Sequence, residues 1–479
     1  MKKKIVMAIL MAGLLGACAK KEEGSVVLRE DPYQTENTGG NSEVPKEETG
    51  TSGSTEEKGF EEANASAAGD HIRKGSLNLS EEAGQVVVCG TGIEAEDIEA
   101  VSRASLALFA NTIRREMDND PGTNVLISPT SVQMALGMTA NGARGDTLKQ
   151  MEEVIASGMS IDRINPFYYE LREKMMHGED VDWNVANSIW FRNDGLWEMK
   201  PDFLAAVKTY YDADIWLADF DEQTVADINE WIKQETYGMI PKTISRLSPD
   251  DRMLLINAIA FEGEWENEYE EYDIEENSTF RNADGTTSDV TMLYSNEDRY
   301  FTVGEGIGFI RPYKGGEYSF VGILPEEGVS PAEFVEDLYD SGVDLSEEIR
   351  NATYYDRIYV RIPEFELDYD ILLNDVLHDM GMTDAFSSVD ADFGEMMQPV
   401  AETVDDSAWI GSVLHKTHIE VNREGTRAAA VTVVTMENCA AAIDYSLPLE
   451  ITLDRPFVYA IVDNDSGLPI FLGTINSIE

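Results

Sequence analysis

Eight consecutive residues, Leu254 to Phe261 (LLINAIAF), carry a single polar side chain, Asn257. A run this apolar suits a strand buried on both faces, because a strand with one wet face alternates apolar and polar residues. The chain must therefore build a large sheet covered on both sides. Helical spacing accompanies it: Ile98, Val101, Leu108 and Ile113 predict a helix over 97–117. Ser128 before Pro129 reads as an N-cap with proline in the first helical position. Val132, Ala135, Leu136 and Thr139 line one face of that helix, and Gly142 supplies its stop. Asp146 reads as the N-cap of a helix through Ile155, and Ile228, Trp231 and Ile232 mark another ending near Gly238. Tyr359–Phe365, Ile419–Asn422, Leu449–Leu453 and Phe457–Val462 read as strands, so the C-terminal fifth is strand-rich. The fold class is α+β with large antiparallel or mixed sheets.

Composition divides the 479 residues into three stretches. Residues 1–17 read as a signal peptide. Lys2, Lys3 and Lys4 precede an apolar stretch, Ile5 to Leu15, too short to span a membrane. It ends in Leu15-Gly16-Ala17-Cys18, which resembles the lipobox of bacterial lipoproteins. That resemblance implies that Cys18 becomes the lipidated N-terminus of a secreted protein, held extracellularly at the bacterial cell surface by acyl chains. Residues 18–70 read as a disordered acidic tether, with five basic and thirteen acidic residues among Glu, Gly, Ser, Thr and Asn. Residues 71–479 form the globular part. Its length suggests two domains, yet it contains no Pro/Gly/Ser-rich linker and no internal repeat.

Lys and Arg number 36 against 91 Asp and Glu, a net charge of −55. Such acidity excludes a nucleic-acid partner, which needs a basic counter-surface, and a polybasic membrane patch. It also predicts attraction of cationic partners at low salt. Three cysteines exclude a disulfide-rich scaffold, and five histidines leave little for a histidine metal cluster. His415 and His418 are three apart, which on a strand places them on opposite faces. No GxSxG elbow and no HExxH helix is present; Gly304–Gly308 is not a dinucleotide loop, and Asp463–Gly467 reads as a turn. The sequence points to no metal and no cofactor.

A series of motifs runs from about residue 100 to the C-terminus. Asn124–Met151 reads NVLISPTSVQMALGMTANGARGDTLKQM, Val185–Phe191 reads VANSIWF, and Ile228–Ile240 reads INEWIKQETYGMI. Leu255–Trp265 reads LINAIAFEGEW and Gly381–Phe386 reads GMTDAF, followed by Ala391-Asp392-Phe393. His415–Ala430 reads HKTHIEVNREGTRAAA, Arg455–Tyr459 reads RPFVY and Pro469–Gly473 reads PIFLG. Together, in this order and spacing, they resemble the serpin family. The resemblance implies one domain of three β-sheets with about nine helices and an exposed reactive-centre loop, in place of two domains. It implies a suicide-type inhibitor, with no catalytic group of its own. A protease attacks the loop and forms its acyl-enzyme. The cut loop then inserts into the main sheet and the acyl-enzyme stalls. The other reading is a serpin-fold binding lipoprotein that does not insert its loop.

The loop supports that reading residue by residue. Gly425 can serve as a hinge, because glycine reaches backbone angles other residues avoid. In a strand, Thr426, Ala428, Ala430, Thr432 and Val434 face one side, all small and uncharged. Ala429 lies on the other side with Arg427, so that charge falls on the outer face. A large or charged residue on the inner set would oppose burial. The family usually has glutamate where this chain has Arg423, and often again at Arg427. Counted from Arg423 as in the family, the residue before the scissile bond is about the seventeenth, which gives Cys439–Ala440, with Met436, Asn438, Ala440, Ala441 and Ala442 as alternatives for that residue. None of these is basic, which disfavours a trypsin-like pocket. An elastase-like serine protease is the expected partner and a cysteine protease the alternative; a monomer is expected. Cys89 and Cys439 are expected to be reduced, since a disulfide between them would tether the loop. By motif, Ser128, Ser131, Asn257 and His415 resemble the family's hydrogen-bonded shutter beneath the main sheet. Trp265 resembles the tryptophan at the breach where the loop enters.

Overall fold

The computed structural model describes residues 72–73, 75–88, 92–117, 120, 122–178, 180–236, 244–248, 251–401, 408–426 and 447–478. The signal peptide, Cys18 and the tether lie outside the described residues. So do Cys89, Arg427, Ala428, Ala429, Ala430, Thr432, Val434, Cys439 and Ala440.

The main sheet has eight strands. In spatial order they begin with β1 (Ile72–Arg73), β2 (Ser76–Asn78), β6 (Asp214–Ala218) and β4 (Val181–Arg192). They continue through β7 (Met253–Glu264), β16 (Gly425–Thr426), β15 (Ser412–Val421) and β13 (Phe365–Leu372). The second sheet has nine, starting with β17 (Leu449–Thr452), β12 (Thr353–Pro363), β9 (Thr287–Val303), β10 (Gly306–Pro312) and β11 (Tyr318–Pro325). It ends with β18 (Phe457–Asp463), β19 (Pro469–Ile475) and β3 (Val125–Ile127), while β8 (Ile274–Arg281) pairs with β9 off this path. A small third sheet joins β5 (Trp197–Met199) and β14 (Met397–Pro399).

Nine α-helices occur among the described residues. They are α1 (Ala95–Met117), α2 (Pro129–Ala140), α3 (Gly145–Ala156), α4 (Ile161–His177) and α5 (Pro201–Tyr211), then α6 (Glu222–Glu235), α7 (Pro331–Ser341), α8 (Leu345–Arg350) and α9 (Asn374–Asp379).

The apolar run in β7 is buried throughout from Met253 to Phe261. Met253, Leu255, Ile259 and Phe261 enter the large core between the two sheets. Leu254, Ile256 and Ala258 enter a second cluster with Ile228, Trp231 and Ile232 of α6. The helix therefore covers the outer face of the strand, which is why the run does not alternate.

Several sequence expectations shift. Helix α2 starts on the Ser128 cap as expected, with Ser131 N–H donating to Ser128 Oγ at 3.3 Å. It is buried at all twelve positions rather than along one face, because it lies between β4, β7 and β19. Asp146 sits inside the first turn of α3, where it pairs with Lys149 at 2.8 Å, and Arg144 holds the N-cap position. Tyr359–Phe365 is not one strand. β12 ends at Pro363 in the second sheet and β13 begins at Phe365 in the main one, so the chain changes sheet at Glu364. β15 starts at Ser412, seven residues before the expected Ile419.

Candidate functional site

The chemistry of this molecule is arranged along one seam, the boundary between β7 and β15. Ser412–Thr417 pair in parallel with Leu254–Ile259, residue for residue. Beyond Ile259 the strands part, and β16 occupies the opening. Gly425 pairs with Glu264 and Thr426 with Gly263, while Thr426 also faces Val421. The main sheet is therefore forked at one end and closed over the rest.

The fork is held by side chains the sequence presents at both strands. Asn422 Oδ1 accepts from the N–H groups of Glu424 (2.9 Å) and Gly425 (3.1 Å), fixing the bend into β16. Arg423 donates from Nε (3.0 Å) and Nη2 (3.2 Å) to the two oxygens of Glu364, a bidentate pair that raises the Arg423 pKa, the Glu364 hydrogen bond first among the causes. Gly425 is required for space rather than for unusual backbone angles. A Cβ there would meet Gly263 O at 2.1 Å, and its φ is not among the positive ones. Thr426 is fully buried, its Oγ1 2.5 Å from Tyr313 Oη. Burial pushes the Tyr313 hydroxyl pKa up, so it stays protonated in this bond.

Trp265 closes the fork from the β7 side. Its backbone N–H donates to Glu424 O (3.2 Å) and its Nε1–H to Asn422 O (2.9 Å). Its ring stacks on Tyr313 at 4.8 Å, with the Arg311 guanidinium 4.7 Å from the ring centroid on the Trp265 side and 4.1 Å from that of Tyr269. Arg311 is paired with Glu297 at 2.6 Å, both buried. Core packing and strand capture are thus two uses of the same tryptophan.

Halfway down the seam lies a polar row. Cross-strand register sets Asn187 of β4 opposite Asn257 of β7, and Asn257 opposite His415 of β15. The Ser128 backbone N–H donates to His415 Nε2 (3.0 Å), so Nε2 carries a lone pair and the proton sits on Nδ1, 2.6 Å from Asn257 Oδ1. Burial lowers the His415 pKa to about 3, which keeps this neutral form. Asn257 Nδ2 donates to Ser131 O (2.9 Å), to Ser131 Oγ and to Asn187 Oδ1 (2.5 Å). Ser128 Oγ donates to Ile470 O at 2.7 Å, tying the row to the second sheet. The four residues expected to cluster here do so. Asn187 is a fifth that the sequence reading passed over, although an amide inside the apolar stretch VANSIWF was the available signal.

His415 points inward and is fully buried, whereas His418 faces Asp368 at 2.7 Å on the other side of the sheet. Glu366, Asp368 and His418 bring one ligand atom each within 4.8 Å of one another, with both carboxylates exposed.

A seam of this kind can accept a strand: β16 occupies its mouth, and lengthening β16 replaces one parallel ladder with two antiparallel ones. Comparison with known proteins bears on the family and the fold. The family model "Serpin (serine protease inhibitor)" matches residues 103–478. An uncharacterized serpin-like protein of Thermococcus kodakarensis is 31% identical over 355 residues, covering 73% of this chain and 80% of that protein. The leukocyte elastase inhibitor of Homo sapiens is 27% identical, covering 79% of this chain and 100% of that one. Among solved structures, a thermophilic serpin, tengpin, in the native state is 37% identical and covers 84% of this chain and 100% of its own, with a TM-score of 0.76. The same protein in the latent state gives a TM-score of 0.68.

Proposed function

Because this chain belongs to the serpin family, we propose that it is a suicide-type protease inhibitor that traps its target by feeding the cleaved loop into the seam between β7 and β15. The observation that carries this is the fork: Gly425 and Thr426 are seated as the first two residues of a strand whose continuation would part a closed ladder. A protease that attacks the loop breaks the scissile bond as its acyl-enzyme forms, and the freed N-terminal part of the loop can then lengthen β16. The attached protease is then carried along the sheet, its oxyanion site is distorted and deacylation stalls.

The register of β16 also accounts for the unusual arginine. One residue further, an inserted Arg427 comes opposite Glu262 of β7 and, across from Val421–Thr426, next to Glu420 of β15. Both glutamates lie on the outer face, so the sheet offers opposite charge where the family's glutamate would meet repulsion. Arg423 has its own partner in Glu364. Arg423 is matched by an acidic neighbour, and on insertion Arg427 would be as well.

The lack of a basic residue around Cys439–Ala440, where Glu437 alone is charged, and the elastase-inhibitor relatives support an elastase-like serine protease as target, with a cysteine protease as the alternative. The Leu15–Cys18 motif supports lipidation of Cys18 and display of a monomer from the cell surface on the 18–70 tether.

The decisive experiment mixes detergent-solubilised full-length protein with an elastase-like protease and resolves the products on a denaturing gel. A covalent band at the summed mass is expected, and sequencing the released C-terminal peptide places the scissile bond. Cleavage with no covalent band overturns the reading in favour of a non-inhibitory binding lipoprotein.

A further inference from the structure

We propose that the cleft beside the last turns of α1 binds an amphipathic organic anion: a molecule with a rigid apolar body, one carboxylate and a hydroxyl group. None of the fork or seam residues lines this cleft, and the inference does not rest on the inhibitor reading.

The cleft has a volume of about 640 Å³, within the range of roughly 300–1,000 Å³ typical of small-molecule sites. Five separate parts of the chain wall it: the end of α1, the turn between β8 and β9, the loop between β11 and α7 with the start of α7, the connection from β17 to β18, and Asn476 just after β19. Ile113, Met117 and Val329 give it an apolar floor. An apolar body is the complement of such walls.

Three guanidinium groups stand at the rim of this apolar space, Arg114, Arg281 and Arg455, against two carboxylates, Glu327 and Glu336. In a chain of net charge −55 a locally cationic cleft is a departure from the rest of the surface. The carboxylates are already engaged, Glu336 by Arg114 at 3.1 Å and Glu327 by Arg281 at 3.2 Å, in exposed pairs. Arg455 differs. It donates from Nη2 to Pro325 O at 2.6 Å and has no carboxylate within 4.0 Å among the described residues. Burial lowers its pKa first, and Arg281 adds to this against the pull of Asp454 and Glu327. Asp454 offsets the overall charge, so what the cleft offers is the single Arg455 guanidinium without a carboxylate in bonding range, which fits a monoanion; a phosphate dianion would exceed it.

A second polar group asks for the rest of the ligand. Asn476 lines the cleft and is fully buried. Its Nδ2 donates to Thr123 O (2.7 Å) and Thr474 Oγ1 (3.2 Å), but its Oδ1 has no donor among the described residues. Buried acceptors are nearly always paired, and a ligand hydroxyl supplies the missing donor.

Deoxycholate is a suitable probe, since it combines a rigid apolar face with one carboxylate and hydroxyl groups. Titration of full-length protein by calorimetry, below the probe's micelle concentration, is expected to show one site with Kd of about 1–100 μM. Arg455→Met and Arg281→Met are expected to weaken it by about tenfold or more, with thermal melting in the absence of probe unchanged. Val329→Trp, which fills the floor and leaves every charge in place, is expected to abolish it. Absence of saturable binding overturns the proposal. So does unchanged affinity in both arginine variants, or equal competition by neutral dodecyl maltoside, which would reduce the cleft to an apolar patch.

Discussion

Beyond Ile259 the boundary between β7 and β15 is forked and occupied, while from Leu254 to Ile259 it is zipped. The two halves are held by different forces. At the fork, backbone pairs of Gly425 and Thr426 combine with stacked aromatics, a buried hydroxyl pair and the Arg423–Glu364 ion pair. In the zipped half, six backbone positions are paired and the side-chain bonds concentrate in one row, from Asn187 through Asn257 to His415. Insertion of a strand exchanges one backbone ladder for two but separates Asn257 from His415. Resistance to opening is therefore local: it sits in the polar row, and the fork sets only whether a strand can start.

Thr426→Arg tests that division with the largest effect. It places a charge where the side chain is fully buried against Tyr313, a cost of several kcal/mol. Covalent complex should disappear and the protein should be cut as an ordinary substrate, read as the ratio of complex to cleaved product on a gel; a normal ratio contradicts the fork as starting point. Asn257→Ala comes next. It strips Ser131, Asn187 and His415 of their shared partner in a buried row and should lower unfolding stability by about 2–3 kcal/mol in a denaturant titration. A loss below about 0.5 kcal/mol would mean the row is not what holds the seam.

Acid should act on the same row. The folded pKa of His415 lies below its unfolded value of 6.5, at about 3. The unfolded chain therefore binds the proton first. Stability is complete above pH 6.5 and declines as pH falls toward 3, by about 2–3 kcal/mol at pH 4.5. The stability gap between the native protein and His415→Gln should narrow by that amount between pH 7.5 and 4.5; parallel curves would exclude this histidine as the cause. The smallest effect belongs to Arg423→Glu. The Arg423 side chain is 43% exposed, so facing Glu364 with a like charge should change stability by no more than about 1 kcal/mol. It should leave the ratio of complex to cleaved product nearly unchanged, and a collapse of that ratio would make the ion pair part of the fork's grip.

Much of this site was legible in the sequence. Ser128, Ser131, Asn257 and His415 stand in recognisable strings, and Thr426 follows from its small, uncharged, alternating setting. What they bond to was not legible, because their partners come from other strands: Asn187 lies 70 residues before Asn257, and Tyr313 lies 113 before Thr426. The reason for Gly425 was also hidden. Local sequence suggests torsional freedom, whereas the approach of Gly263 O, a tertiary fact, is what excludes a side chain. The same limit explains α2, whose all-round burial depends on two sheets meeting over it, and the division of Tyr359–Phe365 between two sheets at Glu364.

The edge of the main sheet has a bearing on how the molecule would stand on a cell if Cys18 carries lipid. Ser76 of β2 pairs with Ala218, Ala218 with Arg192, and β4 meets Met253 of β7 through the neighbouring Phe191. The incoming chain is therefore docked at the opposite pole of β7 from Gly425, and a twelve-residue strand separates the two by about 40 Å. With Cys18 lipidated, the bait would point outward, and a captured protease would travel inward, toward the membrane. Between Cys18 and the described fold lie roughly 50 residues of acidic sequence, a length that can reach well beyond about 40 Å when extended. In a lipidated inhibitor that length would act as clearance, the headroom a passenger needs to arrive without striking the bilayer.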